Sequence, residues 1–450
     1  MIVVSEYRDK TVGVFGLGKA GQASMEALTA GGAKVFAWDD KQQAETETVL
    51  SFEKWPWDEL QALVLAPGVP LTHPKPHAVV EMAKKHKVPV IGDIELLYRA
   101  CPNARIIAIT GTNGKSTTTA LTAHILKAAG KKVEVGGNLG TAALSLEPLG
   151  ADGIYVLELS SYQLDLVQTT RFDVTMLLNI TPDHLDRHGS MEGYIAAKQH
   201  IFERQAADDV AIIAVDDEHT QAIAEALEKQ QLVRVSGYHE MPDGVYVQDG
   251  VLHDGSKYFD LKQIASLPGK HNGQNAAAAY AAVKACGVAP EKIYEGMKTF
   301  PGLAHRLQFV TSLQGVKFIN DSKATNAEAA AHALAAFERI YWIAGGKAKE
   351  GGIAALEEYF PKIAHAFLVG EDEKLFANTL QGKASYTCCN TLDVAVKKAA
   401  DMAFASDKKG VVLLSPAAAS FDQWDNFEAR GEAFCDLVSQ LAAGGVRDAS

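Results

Sequence analysis

The sequence predicts an α/β protein of three domains, each built on a parallel sheet, and three observations lead there. Short apolar or β-branched runs alternate with helix-length segments along the chain, the pattern that pairs strands in parallel. Two of these runs end in glycine turns, "FGLGKAG" and "ITGTNGKST", that pass directly into a helix. The 450 residues suffice for a buried core in each of roughly two to four domains, and no short-period repeat or low-complexity run interrupts the pattern.

The first block, residues 1–97, opens with "TVGVFGLGKAGQASMEALTAGGAKVFAWDD". Val12 to Phe15 reads as a buried strand, Gly16, Gly18 and Gly21 as a Gly-x-Gly-x-x-Gly turn, and the following stretch to Ala30 as a helix. A second strand from Lys34 to Trp38 closes on Asp39, which completes the order of a dinucleotide fingerprint. The same turn can hold any pyrophosphate at a helix N-terminus, so NAD, FAD, another pyrophosphate and a purely packing role for the glycines all stay open. "ALVLAPGVP" adds a strand running into Pro67-Gly68, and "KVPVIGDIELLYRA" a further strand and helix start.

The second block, residues 98–302, carries "RIIAIT" as a β-branched strand and "KSTTTALTAHILKAAG" as a helix closed by Gly130. Strand-like runs recur at "GIYVLEL", "VTMLLNI" and "VAIIAV"; short alternating runs between turn residues from Glu240 to Phe259 suggest antiparallel pairing. In the third block, residues 303–450, "VKFIN", "IYWIAGG", "HAFLVG" and "GVVLLSP" are the strands.

Composition excludes several classes of function. With 43 Lys and Arg against 55 Asp and Glu the net charge is −12, which argues against a nucleic-acid partner. Cys101, Cys286, Cys388, Cys389 and Cys435 lack paired metal-ligand spacing and read as free thiols of a reducing compartment. "MIVVSEYRDK" is too soon charged for a secretory signal, and no apolar run approaches the roughly 20 residues that cross a bilayer. A cytoplasmic protein without membrane insertion is expected.

"ITGTNGKSTTT" departs from the usual phosphate-loop spacing, which would need glycine at Ile109. The physics survives the departure. Backbone amides of Gly111, Thr112, Asn113, Gly114 and Lys115 can wrap an anion, aided by the helix dipole. The Lys115 amine can neutralise phosphate oxygens, and the Ser116 hydroxyl can bind Mg²⁺. Downstream, "GGNLG" places Asn138 after a strand, "LELSSYQL" puts Glu158 at a strand end, and "NITPDHLDRHGSMEGYIAAKQHIF" supplies Asp183, His184 and Lys198. Hard oxygen ligands such as Glu158 suit Mg²⁺, and His184 can complete a mixed shell or stay a surface histidine.

"GTNGKST", "GGNLG", "ELSSYQL", "ITPDHLDRHGSMEGYIAAKQHIF", "GKHNGQNAAAA", "HRLQFV", "NDSKATN" and "LLSPAAASFDQWDNFEARG" stand in this order along the whole chain. In that series the chain resembles the ATP-dependent Mur ligases, and "SFDQWDNFEARG" is similar to the branch that adds D-glutamate. The resemblance implies a Rossmann-like N-terminal domain holding the UDP of UDP-N-acetylmuramoyl-L-alanine, a central ATP-binding domain, and a Rossmann-like C-terminal domain that brings in D-glutamate. It implies ATP and Mg²⁺ as cofactors, an acyl-phosphate intermediate, and a monomer.

Residue by residue, the resemblance places ATP on Gly111 to Thr117, Asn272, Arg306, Asp321 and Lys323, with Lys115, Lys198 and His184 in catalysis. It places the metal on Ser116, Glu158, His184 and Lys198, the last carboxylated in the family. The UDP substrate falls to Gly18, Lys19, Ala20, Asp39, Asp40, Pro67, Gly68 and Asn138, and D-glutamate to Thr325, Lys349, Ser420, Phe421 and Phe427. Bland alternatives stand beside two of these: Phe427 as core and Asp321 as a helix cap. Ala20 and Ala66 replace hydroxyl residues often seen beside the UDP site, Ala418 a frequent cysteine, and Trp424 a common Phe; Lys347 competes with the favoured Lys349. The rivals are another amide ligase of this family, disfavoured by "SFDQWDNFEARG", and an NAD-dependent oxidoreductase, in which "GTNGKST" and "NDSKATN" have no place.

Overall fold

The computed structural model describes residues 1–445 apart from Gln43, Ala265 and Glu350. It divides into two compact units, Met1–Ile264 with Gly269–Phe300, and Ala265–Pro268 with Pro301–Ser450.

The first unit holds two sheets. β1 (Thr11–Phe15), β2 (Lys34–Trp38), β3 (Leu60–Leu65) and β4 (Val90–Ile91) form a four-stranded sheet in the order β2-β1-β3-β4, every neighbour parallel. The two-residue period of a strand separates its faces. Val12 and Val14 pack with Ala27 and Leu28 of the helix Lys19–Ala30, while Phe15, Leu63 and Leu65 join Phe52, Trp55 and Trp57 on the other side. A Cβ on Gly21 would lie 1.7 Å from the Gly16 carbonyl oxygen, so the third glycine of the turn is needed for helix–strand approach.

The second sheet of that unit has nine strands: β5 (Arg105–Thr110), β6 (Lys132–Gly137), β7 (Gly153–Glu158), β8 (Val174–Leu177), β9 (Val210–Ala214), β10 (Gln231–Ser236), β11 (Val245–Gln248), β12 (Val251–Asp254) and β13 (Lys257–Asp260). Their order is β13-β12-β11-β10-β9-β8-β5-β7-β6. Pairing is parallel from β6 to β11 and antiparallel from β11 to β13, as the alternating runs before Phe259 imply. β5 lies between β8 and β7, with its carboxyl end at the glycine loop.

The two sheets share one apolar core. Val12, Val14, Ile94, Leu97, Ile106 and Tyr155 belong to a single buried cluster. The helix Asp93–Ala100 lies between the sheets in sequence and carries the fully buried Glu95. Its carboxylate accepts from the backbone N–H groups of Gln168, Thr169 and Thr170, from both threonine hydroxyls, and from Arg99 Nε and Nη2. Burial alone would raise its pKa; these donors outweigh it and bring the carboxyl down to about 2.

The second unit has one six-stranded sheet: β14 (Gln308–Leu313), β15 (Val316–Asn320), β16 (Ile340–Gly345), β17 (Ile363–Val369), β18 (Tyr386–Asn390) and β19 (Val411–Leu414), in the order β14-β15-β19-β16-β17-β18. It is parallel except at the β14–β15 hairpin. Alternate residues again part: Trp342 and Ala344 face one cluster, Tyr341 and Ile343 the other. Three strands escape the sequence reading for physical reasons. β10 and β18 are polar and partly exposed, and β14 turns back through Gln314 and Gly315, both with positive φ, without the usual Asn-Gly signal.

Replacing Glu95 by Ala strands buried donors, so the unfolding free energy of the first unit should fall by about 3 kcal/mol at neutral pH, read from denaturant midpoints. Because the folded carboxyl titrates below its ordinary 4.5, its contribution is complete above that pH and disappears as pH falls through about 2. The gap between wild type and Glu95→Ala should therefore close in acid.

Candidate functional site

The site grows from the end of β5. Between Thr110 and Lys115 the chain reverses with Gly111 at φ 151° and Gly114 at φ 82°, then enters the helix Lys115–Ala128. A Cβ on Gly114 would lie 2.4 Å from Asn275 Oδ1, so conformation and space both demand glycine there. Asn179, just past β8, clamps the loop. Its carbonyl accepts from Thr112 N at 2.9 Å, its Oδ1 from Asn113 N at 2.7 Å, and its Nδ2 donates to the Asn113 carbonyl at 3.1 Å. Two loop amides, those of Thr112 and Asn113, thus bond to protein here. The dipole at the start of the following helix favours negative charge beside the loop.

Lys115 Nζ folds over its own loop and donates to the carbonyls of Gly111 at 2.9 Å and Thr112 at 2.7 Å. Ser116 is buried behind it, and Thr117 is half-buried. Lys198, on the helix Met191–Gln199, is 1 % exposed; its Nζ donates to the Gly111 carbonyl at 2.8 Å and sits 4.6 Å from the Tyr194 ring centre. Burial, aided by the Lys115 charge, brings its pKa down to about 7, so the neutral amine is populated near neutrality. The Tyr194 hydroxyl in turn lies 3.1 Å from Thr112 Oγ1.

Glu158 ends β7 opposite Ile109 of β5, which sets it beside the loop. Its Oε1 accepts from Asn138 Nδ2 at 2.9 Å, while Oε2 is buried without a hydrogen-bond partner among the described residues. A buried, unsatisfied carboxylate oxygen near a phosphate-binding loop is what a divalent cation would satisfy. His184 has φ 53°, is half-exposed, and packs on the Tyr162 ring with centres 5.0 Å apart. Among the described residues no group of three or more His, Cys, Asp or Glu could hold a metal. The Glu158 carboxylate and the Ser116 hydroxyl are hard oxygen donors of the type Mg²⁺ takes. Asn272 is buried in the first turn of the helix Lys270–Ala285, and its Oδ1 accepts from Asn275 Nδ2 at 3.1 Å.

At the first sheet, Gly18 caps the helix Lys19–Ala30, with Gly18 and Lys19 exposed. Asp39 accepts from Lys41 N at 2.9 Å and Leu17 N at 2.7 Å, and these backbone donors lower its pKa. Asp40 meets His77 Nε2 at 3.1 Å. Arg187 stacks on Tyr162 and donates to the carbonyls of Gly68 at 2.9 Å and Val69 at 3.1 Å, holding the Pro67-Gly68 turn in place.

The second unit gathers the remaining predicted residues on its own loops. Asp321 follows β15; it accepts from Leu307 N at 3.1 Å and Ser415 Oγ at 2.8 Å and caps no helix. Burial raises its pKa to about 7, against smaller opposing effects from the Ser415 and Leu307 hydrogen bonds and the Arg306 charge. Lys323 Nζ lies 5.6 Å from the Phe427 ring centre, and Phe427, half-buried, begins the last helix. Thr325 N bonds back to the Lys323 carbonyl at 2.9 Å. Ser420 is buried and Phe421 is 73 % exposed. Lys347 and Lys349 are both exposed, with the Lys347 backbone paired to Ala419 beside Ser420.

Arg430 is a residue that motif reading left unassigned. Buried to 2 % exposure, it donates to Ser322 Oγ, the Ser322 carbonyl and the Ala418 carbonyl, which ties the Asp321 loop to the Ser420 loop. Asn179, Asn275, Tyr194 and Arg187 were missed likewise. All but Asn275 sit in motifs whose neighbours carry more obvious chemistry, and Asn275 lies beside Asn272 within "GKHNGQN".

Comparisons with known proteins bear on both units. Residues 109–283 match the Mur ligase middle domain, and residues 305–418 the Mur ligase glutamate ligase domain. The UDP-N-acetylmuramoylalanine–D-glutamate ligase of Caulobacter vibrioides is 50% identical, with 100% of each chain covered. The chain belongs to the Mur ligase family. The ligase of the same name from Agrobacterium fabrum is 50% identical over 98% of this chain and 97% of that one. Residues 1–81 match the NAD binding domain of D-isomer specific 2-hydroxyacid dehydrogenases, in keeping with the Rossmann-like strand–turn–helix of β1 and β2. Among solved structures, UDP-N-acetylmuramate-alanine ligase MurC from Thermotoga maritima has a TM-score of 0.59 at 18% identity, covering 96% of this chain and 99% of that one. MurF from Acinetobacter baumannii has 0.59 at 19%, covering 98% and 93%. At such identities these two attest the fold.

Lys115→Ala should lower turnover on the order of 10²–10³-fold, the effect of removing one donor from a developing charge, if its amine meets the transferring phosphoryl group. Its thermal unfolding should match wild type; near-normal turnover would remove the loop from the chemistry.

Proposed function

We propose that this chain adds D-glutamate to UDP-N-acetylmuramoyl-L-alanine at the expense of ATP, a step in building peptidoglycan precursors. The observation that carries the reading is identity near 50% with ligases of that name over the whole length of the chain. An assay of phosphate release from ATP tests it: release should require both UDP-N-acetylmuramoyl-L-alanine and D-glutamate, and release with either alone, or with L-glutamate equally well, would overturn it.

In this reading the terminal carboxylate of the UDP substrate attacks the γ-phosphorus, the bond to the β-phosphate oxygen breaks, and ADP leaves. The amine of D-glutamate then attacks the acyl carbonyl, the carbon–oxygen bond to phosphate breaks, and an amide forms with loss of a proton. Catalysis of this kind is positioning and charge neutralisation. Lys115 leaves the carbonyls of its own loop to meet the β- and γ-oxygens. Asn272, Arg306, Asp321 and Lys323 hold the nucleotide. Ser116, Glu158, His184 and a carboxylated Lys198 would hold Mg²⁺, which supplies charge neutralisation at the phosphates when bound.

Gly18, Lys19, Ala20, Asp39, Asp40, Pro67, Gly68 and Asn138 receive the UDP substrate, and Thr325, Lys349, Ser420, Phe421 and Phe427 the D-glutamate. The domains run 1–97, 98–302 and 303–450, and the enzyme works as a cytoplasmic monomer. No described helix is long and apolar enough to cross a membrane.

Two further outcomes follow. Ser420 is buried at a loop whose neighbour Ala419 pairs with Lys347, the place for a hydroxyl to donate to a carboxylate. Ser420→Ala should raise KM for D-glutamate about tenfold and leave KM for ATP unchanged, the loss of one hydrogen bond to a charged group. Equal changes in both constants would count against this site.

Lys198 must lose a proton before CO₂ can add to its amine, and an ammonium cannot ligate a metal. With its pKa lowered by burial to about 7, the amine is neutral in part at pH 7 and mostly protonated at pH 6. Activity should fall in CO₂-depleted buffer, return with bicarbonate, and need more bicarbonate at pH 6 than at pH 8. Full activity after exhaustive CO₂ removal would show that Lys198 acts as a cation.

A further inference from the structure

His188 touches the turn just after Glu158, the Tyr162 ring on which His184 packs, and the helix that carries Lys198, yet it is none of the candidate metal-side groups. It ends the short helix Leu185–His188 that follows His184, and its own N–H donates to the His184 carbonyl at 3.2 Å. Its side chain is 4 % exposed. Nε2 lies 2.9 Å from the hydroxyl of Ser161, which begins the turn just after Glu158. The ring stacks on Tyr162 at 5.4 Å and 22°, and packs at 5.4 Å against Tyr194. The other face of this contact is the nucleotide loop, because Tyr194 also covers Lys198 Nζ and reaches Thr112.

Asp165 Oδ2 faces Nδ1 at 3.6 Å, too long for a direct hydrogen bond, and Nε2 and the Ser161 hydroxyl share one at 2.9 Å. Such a carboxylate–imidazole–hydroxyl series fixes ring orientation as the outer partners of metal ligands do. Solvent does not reach Ser161, which is 2 % exposed, so the series serves orientation and not attack on a substrate.

We propose that His188 is a positioning residue for the ligase reaction: through Ser161, Tyr162 and Tyr194 its ring sets Glu158, His184 and Lys198 relative to one another. The proposal rests on the reading of those three as metal-side groups. An apolar residue in its place would keep the bulk and lose the Ser161 bond, letting the turn after Glu158 move independently of the Lys198 helix.

The test reads Mn²⁺ binding by electron paramagnetic resonance of the folded protein with a non-hydrolysable ATP analogue, together with kcat and the KM values. His188→Leu should weaken Mn²⁺ binding on the order of tenfold, the usual effect of losing an outer partner of a ligand, and lower kcat similarly with little change in KM for D-glutamate. His188→Gln places an amide near Nε2 and should recover most of the loss, whereas His188→Asn should not. Ser161→Ala should reproduce His188→Leu, and the double variant should be no worse than either. Unchanged Mn²⁺ affinity in a folded His188→Leu, or additive losses in the double variant, would overturn the proposal. Glu158→Ala is the control: if it weakens Mn²⁺ binding and His188→Leu does not, the inference about His188 falls alone. If Glu158→Ala also has no effect, the metal reading falls and takes the inference with it.

Discussion

The constraint on which the first unit depends is the reversal between Thr110 and Lys115. The chain must leave an interior parallel strand and enter a helix within four residues. That takes positive φ at Gly111 and Gly114 and leaves polar backbone in a crowded place. Several polar groups there have found a partner from a different segment: Asn179 from just past β8, Thr181 for the Thr112 hydroxyl, Lys198 for the Gly111 carbonyl, and Tyr194 for Thr112. Residues spread over nearly 90 positions of sequence are therefore committed to one loop. A loop held from so many sides is preorganised, which is the condition for fixed donors to stabilise developing charge without rearrangement.

Buried charge marks the functional residues more sharply than exposure does. Glu95, Lys198, Asp321 and Arg430 are all nearly inaccessible, but they differ in how burial is compensated. Glu95 is saturated by donors and stays ionised, which is what a structural tie between two sheets needs. Lys198 and Asp321 have few partners, and burial pushes both toward neutrality near pH 7. Groups poised to change protonation at working pH are candidates for chemistry, the role the proposed function gives both. Arg430 lies between: burial lowers its pKa to about 10, so it keeps its charge and spends it on carbonyl and hydroxyl oxygens.

Much of the fold could be read from the sequence because its strands are buried on both faces. β16 and β19 are continuous apolar runs, and β5, β7 and β8 are mostly apolar, so each shows as a strand in the chain. β10, β14 and β18 contact solvent and mix polar with apolar residues, so their pattern is no different from a loop's. The division into units was less visible. A core shared by Val12, Ile94 and Ile106 joins the first two sheets, and a shared core has no signature in local periodicity. At the site the groups with obvious chemistry, Lys115, Glu158 and Lys198, could be named from motifs. The residues that hold them could not: Asn179, Tyr194 and His188 act through distance and angle, which only the folded chain supplies.

Fold and substrate part company in this family. The backbone of this chain follows, at a TM-score of 0.59, a MurC and a MurF whose names denote different ligases. The sheet order and the loop at the end of β5 thus leave the choice of amino acid undecided, as is general for sites grafted on a common fold. What can decide it are side chains on loops, and the residues proposed above for D-glutamate lie on loops that follow β15, β16 and β19. They are bound to one another through Arg430, through the Lys347–Ala419 backbone pair and through Ser415 on Asp321. Loops tied in that way cannot shift singly. A change of amino-acid substrate would then require several coordinated substitutions, which is why a match along the whole chain near 50% identity says more about the substrate than any one motif does.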